Sequence, residues 1–253
     1  MSFGIGLTLM KISRRSLVAS AATLPMMKAY AQSDTGNAQS RKLKVVVTGG
    51  HPGDPEAGCA GTIARYTSLG HEVVILYLNR GEGYCGKLPL SSCGPTRTAE
   101  AEKACEILKA HPVFVPQIDS HAIVDNAHYE EFQKLVEAQK PDVLFTQWPI
   151  DKHSDHRAVS MLSLNAWLKG GKKFGLYYYE VADDTMMFTP DEYVDISGVE
   201  EQRHAACYSH ASQSPDKWYP PQVEITRFRG TQSGYKQAEA FVRNWENKPG
   251  LLP

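Results

Sequence analysis

Residues 45–61 read VVVTGGHPGDPEAGCAG, and this stretch decides the fold. The run at 43–47 is apolar and rich in β-branched residues, which predicts a central parallel strand covered on both faces. A Gly-Gly turn follows, and then the start of a helix. In open α/β sheets, ligands bind just beyond the carboxyl ends of such strands. We therefore expect His51, Asp54 and Glu56 to lie where a cofactor or substrate is held.

The same residues also make a good helix start, with Asp54 as N-cap, Pro55 in the first turn and Glu56 favourable to the helix dipole. The position of His51, three residues before a carboxylate, favours a metal site over this purely structural interpretation. A second cluster, His153-Ser154-Asp155-His156, follows another apolar strand. Because His153 and His156 are spaced i,i+3, they project to one side of a helical turn.

Hydrophobic periodicity predicts a single α/β domain with a mostly parallel central sheet. The predicted helices span residues 55–69, 96–110, 128–139, 157–168, 199–209 and 235–243. The predicted strands span residues 43–47, 73–78, 113–115, 142–146, 175–181 and 223–228. Long loops at 79–95 and 182–190 are expected to determine which substrate is bound.

The N-terminal segment has the pattern of an export signal. Lys11 and the pair Arg14-Arg15 precede an apolar stretch at 17–27, and Ala29-Tyr30-Ala31 ends it. The pattern predicts a twin-arginine signal peptide over residues 1–31, cleavage after Ala31, and a periplasmic or secreted protein. The apolar stretch is too short to span a bilayer. A polar linker at 32–42 then leads into the domain at 43–253.

The composition excludes some classes of partner. The formal net charge of −1 gives no indication of binding to nucleic acid or to an anionic membrane surface, and we expect no transmembrane segment in the mature form. No C-x-x-C pair is present, which excludes a zinc ribbon or a thioredoxin-type site on spacing. In an exported chain, Cys85 and Cys93 are predicted to form a disulfide, whereas Cys59 and Cys105 fit helix cores.

Two histidines and one carboxylate on loops after parallel strands fit an open zinc site, with the fourth position left to water. Amide hydrolysis is the natural reaction class for such a site. We assign His51, Asp54 and His156 as zinc ligands. His153, with Asp155 as its carboxylate neighbour, is expected to act on the substrate by stabilising an oxyanion or protonating the leaving amine.

The two clusters together resemble the LmbE-like, PIG-L superfamily of zinc-dependent N-acetylglucosaminyl de-N-acetylases. The resemblance implies a Rossmann-like three-layer sandwich, a Zn²⁺ cofactor and removal of acetyl from an N-acetylated amino sugar or related glycan. It implies the same three zinc ligands as above and the same action of His153 and Asp155 on the substrate. It also implies that Arg97 binds the substrate. Further matches are Arg97 with Glu100, the segment His210-Ala-Ser-Gln213, and residues 237–241, which match a C-terminal helix.

One position departs from the family pattern. Where the family has a general-base aspartate, in the motif H-P-D-D, this chain has Gly53. Because a general base commonly contributes 10²–10⁴-fold, two hypotheses follow. Either Glu56 or Asp155 takes the proton and the protein is a working deacetylase, or the chain is a zinc-bearing, glycan-binding relative with little catalysis. A dinucleotide-binding protein is disfavoured, since G-x-G-x-x-G is missing.

Overall fold

The computed structural model describes residues 41–247 and 250–253 of the 253-residue chain. The predicted export signal at 1–31 and nearly all of the linker at 32–42 lie outside the described residues. The strands are β1 Lys44–Gly49, β2 Glu72–Tyr77, β3 His111–Phe114, β4 Val143–Gln147, β5 Gly175–Tyr179, β6 Glu192–Asp195 and β7 Ala238–Arg243. The helices are α1 Asp54–Ser68, α2 Leu90–Leu108, α3 Asn126–Gln139, α4 Ser154–Lys169, α5 Glu200–Tyr208 and α6 Pro215–Ser233.

The strands form one sheet in the order β3-β2-β1-β4-β5-β7-β6. The first five strands of this order pair in parallel, and β7 runs antiparallel to both β5 and β6. The mostly parallel α/β sheet predicted from the sequence is thus confirmed. Mixed sheets with an antiparallel strand towards one edge are common in folds of this type.

The alternation of side chains along β1 explains why helices cover both faces of the sheet. Val45 and Val47 join one apolar cluster with residues of α1, α2 and α5, whereas Val46 joins a second cluster with residues of α3 and α4. All three valines are at most 1% exposed. The result is a three-layer sandwich with the sheet in the middle.

The order of the strands places a crevice between β1 and β4. From β1 the chain moves outward through β2 to β3, whereas from β4 it moves in the opposite direction to β5. Loops leaving the carboxyl ends of β1 and β4 therefore diverge to opposite faces, and ligands bind in the crevice at such a switch point. The segments that carry His51 and His156 both leave the sheet at this point.

The last two sequence predictions are wrong. Residues 223–228, predicted as a strand, lie within helix α6, and residues 235–243, predicted as a closing helix, contain strand β7. The alanines and glutamate of β7 favour a helix by propensity, but tertiary contacts override this preference. Glu239 is 2% exposed, and its carboxylate accepts hydrogen bonds from the backbone N–H groups of Gly61 and Thr62 in α1 at 2.8 and 2.7 Å.

Helix α2 begins at Leu90, six residues before the predicted start, so the loop after β2 is shorter than expected. Cys85 in this loop is disulfide-bonded to Cys93 in the first turns of α2, which confirms the predicted pairing. The remaining cysteines, at positions 59, 105 and 207, are free and buried. Within the described part of the chain, no helix combines the length and apolarity needed to cross a membrane.

We expect replacement of both Cys85 and Cys93 with Ser to lower the free energy of unfolding by about 2–3 kcal/mol, because the bond closes a short loop in the unfolded chain. Urea denaturation followed by circular dichroism measures this effect. Dithiothreitol should shift the midpoint of the wild type and leave the double variant unchanged. Equal midpoints for the oxidised wild type and the variant would contradict the prediction.

Candidate active site

One carboxylate oxygen connects the loops after β1 and β4. Asp54 Oδ2 lies 3.1 Å from His51 Nδ1 and 3.1 Å from His156 Nε2. It also accepts a hydrogen bond of 2.8 Å from the His51 backbone N–H. The N-cap of α1 is Gly53, so Asp54 begins the helix and its carboxylate points back to the histidines. The structure therefore brings His51, Asp54 and His156, the three predicted zinc ligands, close together.

Each of these histidines has a carboxylate on its other ring nitrogen. His156 Nδ1 lies 3.0 Å from Asp151 Oδ1, and His51 Nε2 lies 3.2 Å from both Asp155 Oδ2 and Asp119 Oδ1. Histidines that bind metals in proteins usually donate their second N–H to such a carboxylate, which fixes the tautomer and the ring orientation. This pattern leaves His51 Nδ1 and His156 Nε2, the two atoms beside Asp54, free to bind a cation.

The buried carboxylates dominate the electrostatics of the site. Burial alone would lower the pKa of His51, but Asp54, Asp119 and Asp155 together raise it well above the usual range. Burial likewise disfavours the charged form of His156, yet Asp54 and Asp151 raise its pKa to about 9. The two imidazoles in turn hold the pKa of Asp54 well below its usual range despite burial. The cluster thus requires positive charge, which protons or a bound cation can supply.

A divalent metal fits this cluster. Ligand atoms of His51, His153 and His156 lie within 4.8 Å of one another, as do those of His51, Asp119 and Asp155. Imidazole nitrogen and carboxylate oxygen are ordinary zinc ligands. Neither group contains Asp54, so the expected ligand set of His51, Asp54 and His156 rests on the contact of Asp54 Oδ2 with a ring nitrogen of each histidine.

His153 lies beside the cluster as the N-cap of α4. Its Nδ1 accepts a hydrogen bond of 3.2 Å from the Asp155 backbone N–H, and its ring centroid is 4.5 Å from that of His51. With Nδ1 as acceptor, the neutral ring carries its proton on Nε2. His153 can therefore donate a hydrogen bond to a substrate oxygen.

Asp155 does not orient His153 through its carboxylate, contrary to expectation. The side chain is fully buried, and Oδ2 accepts hydrogen bonds of 2.8 Å from Asn79 Nδ2 and from the Ser120 backbone N–H. The same oxygen lies against His51 Nε2. Asp155 lies in the first turn of α4, and its carboxylate points towards the loop after β1. There it contacts His51 and helps to raise the pKa of that imidazole.

Glu56 is also placed differently from its expected role as a proton acceptor. It is fully buried, Oε2 accepts a hydrogen bond of 3.0 Å from the Gly53 backbone N–H, and Oε1 accepts one of 2.5 Å from the Tyr77 hydroxyl. Glu56 is absent from the residues that line the adjoining cavity. In this position it fixes the turn that carries Gly53.

Arg97 supports the β1 loop as well as facing the cavity. Its Nη2 donates a hydrogen bond of 2.8 Å to the Pro52 carbonyl, and its Nη1 donates to the Gly81 carbonyl at 3.3 Å. The close approach requires glycine at 81, where φ is +67° and a Cβ would lie 2.3 Å from Arg97 Cζ. Glu100 does not pair with Arg97. Its carboxylate accepts hydrogen bonds of 2.7 Å from the Ser212 N–H and hydroxyl.

A cavity of about 160 Å³ opens beside Asp54. The lining combines an indole, a guanidinium, amides and carboxylates: Pro52, Gly53, Asp54, Ala57, Arg97, Val181, Ala182, Asp184, His210, Gln213, Trp218 and Gln222. His210 is fully buried, and its Nε2 lies 3.4 Å from Glu56 Oε1, although neither ring nitrogen makes a well-aligned hydrogen bond within the described residues.

Three acidic residues of the site, Asp119, Asp151 and Asp184, were not predicted from the sequence. Asp151 follows β4 within the segment that carries the second cluster, so the rule that ligands lie beyond strand ends could have identified it. Asp119 follows β3 in a loop without a recognisable motif. Asp184 lies in the loop after β5, which was predicted to determine specificity without any residue being singled out.

Comparison with known proteins identifies similar sequences that include both clusters. The PIG-L family model, described as GlcNAc-PI de-N-acetylase, matches residues 46–167, a range that contains both clusters. Diacetylchitobiose deacetylase of Thermococcus kodakarensis is 27% identical over 218 residues, with 78% of this chain and 82% of the relative covered.

Two solved structures share the fold. N,N'-diacetylchitobiose deacetylase from Pyrococcus horikoshii has a TM-score of 0.73 at 21% identity, covering 86% of this chain and 91% of its own. GalB, the 4-carboxy-2-hydroxymuconate hydratase from Pseudomonas putida, has a TM-score of 0.72 at 19% identity, covering 83% and 100%. Since these two proteins carry out different reactions, the fold alone does not decide the chemistry.

The match to the family model includes the His51-Asp54 and His153-His156 segments whose side chains the structure brings together at the switch point. Over residues 46–167, just under half of its length, the chain is similar to the PIG-L (LmbE-like) family.

Proposed function

We propose that this protein is a zinc-dependent amidohydrolase that removes the acetyl group from an N-acetylated amino sugar or related glycan. The observation that carries the proposal is the contact of Asp54 Oδ2 with both His51 Nδ1 and His156 Nε2 beside a cavity. The deacetylase relative from Thermococcus kodakarensis supports the reaction class.

The cavity suits a sugar ring. Trp218 provides an apolar aromatic face, while Gln213, Gln222 and Arg97 place polar groups around it. Binding sites of this kind join an apolar surface to a few polar groups that fix orientation. The polar groups and the indole together favour an amphipathic substrate such as an N-acetylated sugar.

A Zn²⁺ ion held by His51, Asp54 and His156 would lower the pKa of water at the site and polarise the amide carbonyl. The chain supplies the remaining chemistry. The Nε2–H of His153 can donate to the carbonyl oxygen as negative charge develops on it. Arg97 holds the Pro52 carbonyl and so keeps the turn before Asp54 in place.

The proposal is tested by acetate release from N-acetylglucosamine and N,N'-diacetylchitobiose, measured on protein whose metal content has been determined. Acetate release that is lost on chelation and restored by Zn²⁺ supports it. Zinc binding and sugar binding without acetate release would instead support the alternative, a catalytically weak glycan-binding relative. The replacement of the usual aspartate by Gly53 keeps that alternative open.

His156→Ala is expected to remove the metal and the activity together, whereas His153→Ala should keep the metal and lower kcat by about 10²–10³-fold. The difference follows from Asp54, which lies against His156 and not against His153. Metal analysis and turnover are measured on the same preparations. The matched control is His128, which lies on α3 and pairs with Asp125. His128→Ala should change neither the metal content nor the turnover. Loss of zinc in His153→Ala alone would reverse the assignment.

Gly53→Asp is not expected to raise activity as much as tenfold. Gly53 has φ +108°, a conformation that L side chains rarely adopt, so any side chain there strains the turn before Asp54. Such strain costs on the order of 1–3 kcal/mol. Gly53→Ala is the control, since it carries the same strain without a carboxylate.

The ratio of kcat between the Gly53→Asp and Gly53→Ala variants therefore isolates the effect of the carboxylate. A ratio near one is expected if another residue accepts the proton. A 10²-fold or larger gain of Gly53→Asp over both Gly53→Ala and a nearly inactive wild type would support the glycan-binding alternative.

We also propose that the protein is exported through the twin-arginine route and cleaved after Ala31, supported by the N-terminal pattern and by the disulfide between Cys85 and Cys93. N-terminal sequencing of the exported protein should begin at Gln32. Replacing Arg14 and Arg15 with Lys should leave the precursor uncleaved. A mature protein that retains residues 1–31 would disprove the proposal.

A further inference from the structure

We infer that Asp184 is the group that accepts the proton from the attacking water in the proposed amide hydrolysis. This inference rests on the proposed function and adds a residue to it. Among the described residues that line the cavity, only Asp54 and Asp184 carry carboxylates. Asp54 Oδ2 is held between the two ligand histidines, so Asp184 is the remaining carboxylate that faces the substrate space.

Asp184 lines the same cavity as Asp54. The charged groups that act on its carboxylate are His156, Asp151, Asp54 and His153. No hydrogen bond or ion pair occupies this carboxylate among the described residues, in contrast to Glu56 and Asp155, whose oxygens are taken by buried donors. It is therefore free to receive a proton.

The backbone holds Asp184 in a fixed position relative to the segment that carries the histidines. Asp151 and Thr185 form an antiparallel β-bridge, and the Lys152 N–H donates a hydrogen bond of 2.9 Å to the Asp184 carbonyl. The Thr185 hydroxyl donates to Asp151 Oδ2 at 3.1 Å, and Asp151 also orients His156. Preorganised groups of this kind cost little rearrangement during reaction.

The chemistry is balanced with water as the only co-reactant. One O–H bond of water breaks, its proton passes to the Asp184 carboxylate, and the oxygen bonds to the amide carbonyl carbon while the C=O π electrons move to the carbonyl oxygen. The C–N bond then breaks, and the proton passes from Asp184 to the leaving nitrogen. Acetic acid and a free amine are the products, the proton of the acid passes to the amine or to bulk water at neutral pH to give acetate, and Asp184 returns to its ionised form. Burial raises the pKa of Asp184, which favours a group that must hold the proton between these steps.

The test compares Asp184→Asn with Asp183→Asn. Asp183 is exposed and has φ +70°, a conformation that Asn tolerates, so the control changes a neighbouring carboxylate to an amide without disturbing the backbone. We expect Asp184→Asn to lower kcat by at least 10²-fold, with zinc content and KM near those of the wild type. Asp183→Asn should keep wild-type kcat.

Asp184→Ala adds a signature that a purely structural role would not give. Formate should restore part of its activity in a concentration-dependent manner, because a small carboxylate can occupy the vacated space and accept the proton. Wild-type kcat in Asp184→Asn, or loss of zinc in that variant, would overturn the inference while leaving the deacetylase proposal standing. Failure of formate to restore activity to a folded, zinc-loaded Asp184→Ala would also overturn it. A zinc-loaded wild type that releases no acetate would overturn both proposals.

Discussion

The contact of Asp54 Oδ2 with two imidazoles is the interaction on which the site depends. It joins the loops after β1 and β4, whose strands pair in parallel through Val45–Val143, Val46–Leu144 and Val47–Phe145. Four carboxylates, from Asp54, Asp119, Asp151 and Asp155, surround the two histidines. So many buried carboxylates would repel one another without positive charge between them, and the cluster is therefore explained most directly as a cation site.

The fold was predictable from sequence where local pattern and tertiary role agree. The apolar run of β1 and the Gly-Gly turn after it have one consistent interpretation, and the structure confirms the parallel core built on it. Near the C-terminus, the local sequence pattern and the tertiary contacts favour different secondary structures. Residues 223–228 are rich in β-branched side chains but belong to a helix, and Glu239 lies in a strand because its carboxylate binds the backbone of α1. Gly61 and Glu239 are 178 residues apart in the chain, and a contact over such a distance cannot be predicted from the local sequence pattern.

The site was predictable to the extent that its residues lie in short motifs. His51 with Asp54, and His153 with His156, are each three residues apart, so helical and turn geometry alone places them on one side. Asp119 and Asp184 come from separate loops, and only the order of the strands brings them near His51 and His156. The partner of Asp155 was mistaken for a similar reason, since its nearest histidine in sequence is not the one its carboxylate contacts.

The environment of each acid decides what it can do in this chain. Glu56 is used to hold the Gly53 N–H and the Tyr77 hydroxyl, and Asp155 is used to hold Asn79 Nδ2 and His51. Although burial alone would raise the pKa of Asp155, the hydrogen bonds from His51 and the Ser120 N–H lower it, which makes this carboxylate a weak base. Gly53 offers no side chain, and its left-handed conformation disfavours the acquisition of one. In the proposed reaction the proton acceptor therefore comes from another part of the chain, and the loop after β5 provides a carboxylate, Asp184, at the same cavity.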